Sequence, residues 1–227
     1  MKQLVVLTGA GMSAESGLKT FRDAGGLWEG HNVMEVASPE GFRANPELVL
    51  DFYNQRRQQL KNARPNTAHY DLVALENYFD VTIVTQNVDD LHKRAGSSSV
   101  VHLHGELFKV RSTYDEFDVL DWREDLVLGD HCNKGYQLRP HIVWFGEAVP
   151  LIPKAMRICE NADILLIIGT SLQVYPAASL MHYVKKETRI YYIDPNPAIE
   201  SNSQITVIAE KATTGMKEVL ELLSKTD

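Results

Sequence analysis

Short apolar runs rich in β-branched residues recur along the chain at Leu4–Leu7, Val81–Val84, Val100–Leu103, His141–Phe145, Ile164–Ile168, Arg189–Ile193 and Ile205–Ile208. Each is too short for a helix and lacks polar alternation. That pattern predicts strands buried on both faces, as in a parallel sheet. Helical patterns lie between the runs. Asn66-Thr67 caps one running toward Phe79, Pro176 opens another ending near Lys186, and Thr213–Ser224 reads as a last helix. Strands alternating with helices predict a doubly wound α/β fold.

Two segments break the rhythm. Residues 24–64 carry a helix signal of their own, with Asn45 as cap, Pro46 in the first turn and apolar Leu48, Val49 and Phe52. Residues 109–139 are acidic and irregular. Both read as excursions that together form a smaller module. The expected layout is one unit over residues 1–227, with a large Rossmann-type part (1–23, 65–108 and 140–227) and a small part (24–64 and 109–139).

Composition narrows the class. At 44% hydrophobic and 23% charged residues the chain reads as an ordinary globular protein. A net charge of −7 argues against nucleic-acid or anionic-membrane partners, and no apolar run is long enough to span a bilayer. Two cysteines, Cys132 and Cys159, make a disulfide framework improbable, and the N-terminus shows no secretory pattern, so a cytoplasmic setting is expected.

The first strand runs into Thr8-Gly9-Ala10-Gly11-Met12-Ser13-Ala14-Glu15-Ser16-Gly17. Glycines here let the backbone turn sharply and approach a pyrophosphate. Gly9 and Gly11 fit a dinucleotide fingerprint, but Ala14 stands where a third glycine is usual. A tight turn binding nothing fits the pattern as well. About twenty residues past the fingerprint, where a dehydrogenase holds its ribose with an acid, stands Gly30-His31-Asn32. That counts against hydride transfer.

The stretch from Gly9 to Arg22 closely resembles the cofactor signature of the sirtuins. Thr85-Gln86-Asn87-Val88-Asp89-Asp90-Leu91-His92, Leu103-His104-Gly105, Arg139 through Glu147, and Gly169-Thr170-Ser171 resemble further sirtuin motifs in order and spacing. The resemblance covers residues 2 to about 215. It implies a Rossmann-type domain, a small module from two insertions, and a cleft for NAD and an acyl-lysine protein substrate. The implied chemistry is attack of the acyl oxygen on the nicotinamide ribose, followed by deprotonation of that ribose. Its products are free lysine, nicotinamide and an acyl-ADP-ribose.

The resemblance assigns His104 as the catalytic base, a role that suits imidazole. His102 lies on the same strand face, so position alone does not separate the two. Gly9, Ala10, Gly11, Ser13, Phe21, Arg22, Gln86, Asn87, Asp89, Gly169, Thr170 and Ser171 are implied around the cofactor. Asn87 could equally cap a helix. Asp194, Asn196 and Ala212 are placed at the adenosine end, although relatives often read Asn-x-Glu where this chain has Asp194-Pro195-Asn196. Val143, Trp144, Phe145, Gly146 and Glu147 would offer an edge to an extended peptide. Tyr53 and Arg56, three apart on one helix face, resemble the pair of the subclass that accepts succinyl- and malonyl-lysine; the alternative is a solvated helix flank. The four cysteines that hold a structural zinc in typical relatives align with Ser112, Asp115, His131 and Lys134, so no metal is expected. Mono-ADP-ribosyl transfer from the same site, a Rossmann oxidoreductase and a non-catalytic NAD-binding module are the rival readings. The sequence leaves the oligomeric state open.

Overall fold

The structure is a computed structural model that describes residues 1–19, 27–28 and 30–225. Its larger body is a six-stranded parallel sheet made of β1 (Gln3–Thr8), β4 (Asp80–Thr85), β5 (Val100–His102), β9 (Ile164–Ile168), β10 (Arg189–Ile193) and β11 (Ile205–Ile208). Their order is β11-β10-β9-β1-β4-β5. Leu4 pairs with Val81 on one side and with Ile164 on the other.

Alternate residues of these strands feed two separate cores. Leu4, Val6, Ile83 and Leu166 face α5 (Thr67–Leu75) and α8 (Ala212–Ser224). Val5, Leu7, Val84, Leu165 and Ile167 face α7 (Ile152–Glu160) and a 3₁₀ segment, Ala177–Tyr183. Burial on both sides accounts for the absence of polar alternation in the sequence. β9 is buried at all five positions. The helix expected after Pro176 is that 3₁₀ segment, and α5 stops well before Phe79.

The remaining elements follow the chain. α1 (Gly11–Ala14) is a single turn, β2 (Leu27–Trp28) and β3 (His31–Asn32) form a two-stranded ribbon, and α2 (Val33–Val36), α3 (Pro39–Ala44) and α4 (Pro46–Asn62) follow. Asn45 caps α4 through a bond from Leu48 N–H at 3.1 Å, as the Asn-Pro signal predicts. α6 (Leu91–Ala95) leads into β5. β6 (Gly105–Ser112), β7 (Val119–Asp121) and β8 (Leu138–Ile142) form an antiparallel sheet ordered β7-β6-β8. That sheet extends beyond the expected 109–139 span at both ends.

The strand expected at His141–Phe145 is displaced. The strand is Leu138–Ile142, it pairs antiparallel with β6, and it is no part of the parallel sheet. Its place at a sheet edge tolerates Pro140, which has no N–H to donate. The apolar residues after it turn away: Gly146 has φ +88°, and Glu147 Oε2 accepts the Trp144 N–H at 2.8 Å. Among the described residues, no helix is long and apolar enough to cross a membrane.

Candidate active site

The carboxyl ends of β1, β4, β5, β9 and β10 lie along one edge of the sheet, and the loops leaving them carry most of the predicted residues. The loop after β1 is stitched to the loop after β9. Gly9 N–H donates to the Ile168 carbonyl at 3.0 Å and Gly11 N–H to the Gly169 carbonyl at 2.9 Å. A Cβ on Gly9 would stand 2.7 Å from the Gly169 oxygen, and one on Gly11 2.6 Å from Gly169 Cα. Gly169 itself has φ +62°, a left-handed conformation suited to glycine. These glycines are thus required by the contact between the two loops, whatever binds above them. The helix behind them is only one turn long, so its dipole adds little.

Polar groups converge beside this contact. Asn87 donates its side-chain amide to the Gly9 carbonyl at 3.0 Å and to Ser13 Oγ at 3.3 Å. Its own carbonyl oxygen is thereby turned away from those two partners. Asp89 accepts from Ser13 Oγ at 2.9 Å and from Leu91 N–H at 3.1 Å, while Asp90 is the N-cap residue of α6, so Asn87 does not cap that helix. Burial raises the Asp89 carboxyl above its ordinary range, against the pull of the Leu91 and Ser13 bonds. Gln86 donates to Thr170 Oγ1 at 3.2 Å, joining the loops after β4 and β9. Ala10 is exposed and Ser171 half-buried at the same edge. This donor and acceptor set fits a ligand carrying a carboxamide and a ribose.

His104 and His102 now separate. His104 follows β5, is half-buried, and lies with Nδ1 3.0 Å from the Gln86 carbonyl. His102 is buried, with Nδ1 3.2 Å from the next carbonyl, that of Asn87. A carbonyl only accepts, so Nδ1 of His104 bears the hydrogen and Nε2 keeps a lone pair. Burial lowers the His104 pKa, partly offset by the Gln86 bond. Gly105, next along, has φ +83°, and a Cβ there would meet the His141 carbonyl oxygen at 2.0 Å. Val143 N–H donates to the His104 carbonyl at 2.9 Å, tying the smaller sheet to this point.

Around Tyr53 the packing is dense. Tyr53 is fully buried, and its hydroxyl accepts the Trp144 Nε1–H at 2.9 Å. Arg56 lies over the Trp28 ring at 4.4 Å, with Nε and Nη1 buried. It is not a solvated flank. Its neighbour Arg57 is wholly buried and donates to the Leu107 carbonyl at 3.0 Å and to Asn54 Oδ1 at 2.8 Å. Nothing in the Gln55–Gln59 run tells those two arginines apart.

No strand runs through Val143–Glu147: β8 ends at Ile142 and the chain turns at Phe145 and Gly146. Phe145 N–H donates to the Ala37 carbonyl at 2.9 Å, and Trp144 is buried. Glu147 accepts from Arg139 Nη1 at 2.7 Å and from Arg111 Nη2 at 3.1 Å. Burial alone would raise the Glu147 carboxyl; the Arg139 and Trp144 bonds and both arginine charges outweigh it and leave it lowered. Only Phe145 and Gly146 of the segment are exposed. The two arginines flank the small-module insertion, and Arg139 opens a motif, which was the signal available for them.

At the adenosine end, buried Asp194 accepts from Asn196 N–H at 2.9 Å in a local turn, while Asn196 is exposed. Ala212 begins α8 and is buried. Phe21 and Arg22 lie outside the described residues.

Of the residues aligned with the zinc cysteines, Ser112, Asp115 and Lys134 are linked to one another, with different chemistry. Lys134 Nζ is 3.0 Å from Asp115, Cys132 Sγ donates to Ser112 Oγ at 3.4 Å, and the Tyr114 and Tyr136 rings stack at 4.3 Å. An ammonium offers no lone pair and its charge opposes a cation, so this set does not fit zinc. Among the described residues, no three His, Cys, Asp or Glu side chains are grouped to hold a metal.

A sequence model of the Sir2 family matches residues 9–176. The chain belongs to the Sir2 family. It is 58% identical to an NAD-dependent protein deacylase of Helicobacter pylori (strain ATCC 700392 / 26695) over 226 residues, covering 98% of each chain. It is 54% identical to an NAD-dependent protein deacylase of Bacteroides thetaiotaomicron, again over 98% of each. A solved Sir2 homologue–NAD complex superposes with a TM-score of 0.88 at 40% identity, covering 99% of this chain and 90% of the other. The Sir2 match takes in the edge from Gly9 to Ser171, where the glycine contact and His104 lie.

Proposed function

We propose that this chain removes succinyl and malonyl groups from lysine side chains of proteins, with acetyl removal as a second activity. Its chemistry is NAD-dependent protein deacylation, in which NAD supplies an electrophilic ribose carbon. Gln86, Asn87, Asp89, Gly169, Thr170 and Ser171 would hold the cofactor, Asn87 presenting its side-chain carbonyl to the carboxamide. His104 accepts a proton at Nε2, while the Gln86 carbonyl keeps Nδ1 protonated and fixes the ring. Its lowered pKa leaves it neutral, hence ready as a base, near neutral pH. The reading takes the chain as one catalytic unit in the cytoplasm, supported by two cysteines that are free and buried.

The acyl preference is carried by the inward placement of Arg56 beside Tyr53. A guanidinium matches a carboxylate with a planar fork, and an acetyl group has no carboxylate to offer. Within a partly dry site such charge-assisted bonds contribute roughly 1.5–3 kcal/mol, on the order of tenfold or more in selectivity. The test offers succinyl-, malonyl- and acetyl-lysine peptides with NAD and identifies products by mass. Arg56→Met should lower the succinyl-to-acetyl ratio of kcat/KM about tenfold or more. An unchanged ratio assigns the acyl preference elsewhere.

A further inference from the structure

Among the described residues, the hydrogen-bond partner of the Tyr53 hydroxyl is a group that donates. Trp144 Nε1–H reaches its oxygen at 2.9 Å, and an indole nitrogen has no acceptor capacity. The phenol hydrogen must therefore point somewhere else. Burial raises the Tyr53 pKa, so the group stays a hydroxyl with that hydrogen in place.

Trp144 is itself immobilised by charges that the catalytic reading does not use. Its backbone N–H donates to Glu147 Oε2 at 2.8 Å, and Arg139 Cζ lies 3.3 Å from its ring centroid. Arg139 and Arg111 in turn hold the Glu147 carboxylate, and Arg139 also donates to the Ile142 carbonyl at 3.0 Å. The indole thus has a fixed plane, and its ring meets Tyr53 at 6.3 Å with a 34° tilt. Tyr53 and Trp144 share one apolar core with Leu91 and Val88, and Leu91 N–H bonds Asp89, which puts this assembly beside the cofactor-side cluster.

We infer that Trp144 is a positioning residue for acyl selectivity: its indole N–H occupies the Tyr53 oxygen and directs the phenol hydrogen toward the acyl carboxylate held by Arg56. This rests on the succinyl reading above. A hydroxyl rotor is otherwise free to turn, and a fixed donor costs less ordering when the ligand arrives. The methyl end of an acetyl group has no use for that donor. Trp144 therefore influences the choice of acyl group without touching it.

The test compares Trp144→Phe with a second variant carrying benzothienylalanine at position 144, which keeps the indole shape and replaces N–H by sulfur. In both, the succinyl-to-acetyl ratio of kcat/KM should fall about three- to tenfold, the range of one neutral hydrogen bond, mainly through the succinyl KM. Combining Trp144→Phe with Tyr53→Phe should give no loss of ratio beyond Tyr53→Phe alone. Calorimetric affinity for a succinyl-lysine peptide, measured without NAD, should fall by the same factor. The Trp144 indole resonance, one of three in the chain, should shift and lose exchange protection in Tyr53→Phe. Equal losses for both acyl groups in the isosteric variant, or losses that multiply with Tyr53→Phe, would overturn the inference. If Arg56→Met collapses the ratio and the isosteric variant does not, the positioning role alone fails. If Arg56→Met leaves the ratio untouched, the succinyl reading fails and takes this inference with it.

Discussion

A single carbonyl sets which nitrogen of His104 is basic. With Gln86 oxygen 3.0 Å from Nδ1, the imidazole has one basic nitrogen and one orientation. Replacing it by alanine should lower deacylation by about 10²–10⁴ while NAD binding, followed by calorimetry, persists. Near-normal turnover in His104→Ala would move the base elsewhere. Because burial disfavours the imidazolium, the folded pKa lies below the ordinary 6.5, and the neutral base survives to lower pH. On the acid side kcat/KM should therefore decline with a midpoint under 6.5. A midpoint above 6.5 would contradict the environment described. The sequence brought two histidines to this strand and did not choose between them by position. The choice depends on burial, a property of what packs over the strand end, which no local pattern encodes. Arg56 and Arg57 pose the same problem: adjacent residues of one type, one buried in bonds to Leu107 and Asn54, the other laid over Trp28.

Among the elements, those with continuous apolar runs were read well and those set by side-chain bonds were not. β1, β4, β9 and β10 carry their own evidence, because both faces are largely buried, and β11 adds an apolar run at the sheet edge. β8 does not. Ile142-Val143-Trp144-Phe145 has the same apolar appearance, but Glu147, drawn in by Arg111 and Arg139, ends the strand before Val143. The region between Ser112 and Leu138 is held by facing turns, whose links are the Asp115–Lys134 ion pair, the Cys132–Ser112 contact and the tyrosine stack. These contacts join residues about twenty positions apart and leave no periodic trace. They also make a prediction: elemental analysis of the purified protein should find no stoichiometric zinc, and a chelator should leave the melting temperature unchanged. One zinc per chain would show that these turns close differently.

For the molecule as a whole, buried histidines set the response to acid. Burial lowers the pKa of His69 to about 4, and that of His141 likewise to about 4. His92, whose ring lies 4.9 Å from that of His69, is lowered well below its ordinary value, first by burial and then by His69 and His102. An unfolded chain takes up protons at these positions below about pH 6.5, whereas the folded one refuses them at His69 and His141 until about pH 4 and at His92 also resists them well below the ordinary value. The unfolded state therefore binds more protons in that window, so stability falls as pH drops through it. Asp89 and Asp71, raised by burial, work the other way but are two groups against five, since burial lowers His102 and His104 as well. Urea midpoints should decline between pH 6.5 and 4, and His69→Gln should make the decline shallower. A midpoint constant across that range would refute this account.

The place of β1 in the sheet has a consequence for synthesis. The strand made first lies between β9 and β4, and its partner on one side, Ile164–Ile168, is made long afterwards. A growing chain can add β4 early, yet one edge of β1 stays open until the ribosome has passed residue 168. During that interval Leu4 to Leu7 present unpaired amides and carbonyls beside apolar side chains, the combination that invites association with other strands. Nascent chains halted before Ile164 should thus be held by chaperones, and the loop carrying Gly9 and Gly11 acquires its partner Gly169 only when the last third of the protein is arriving.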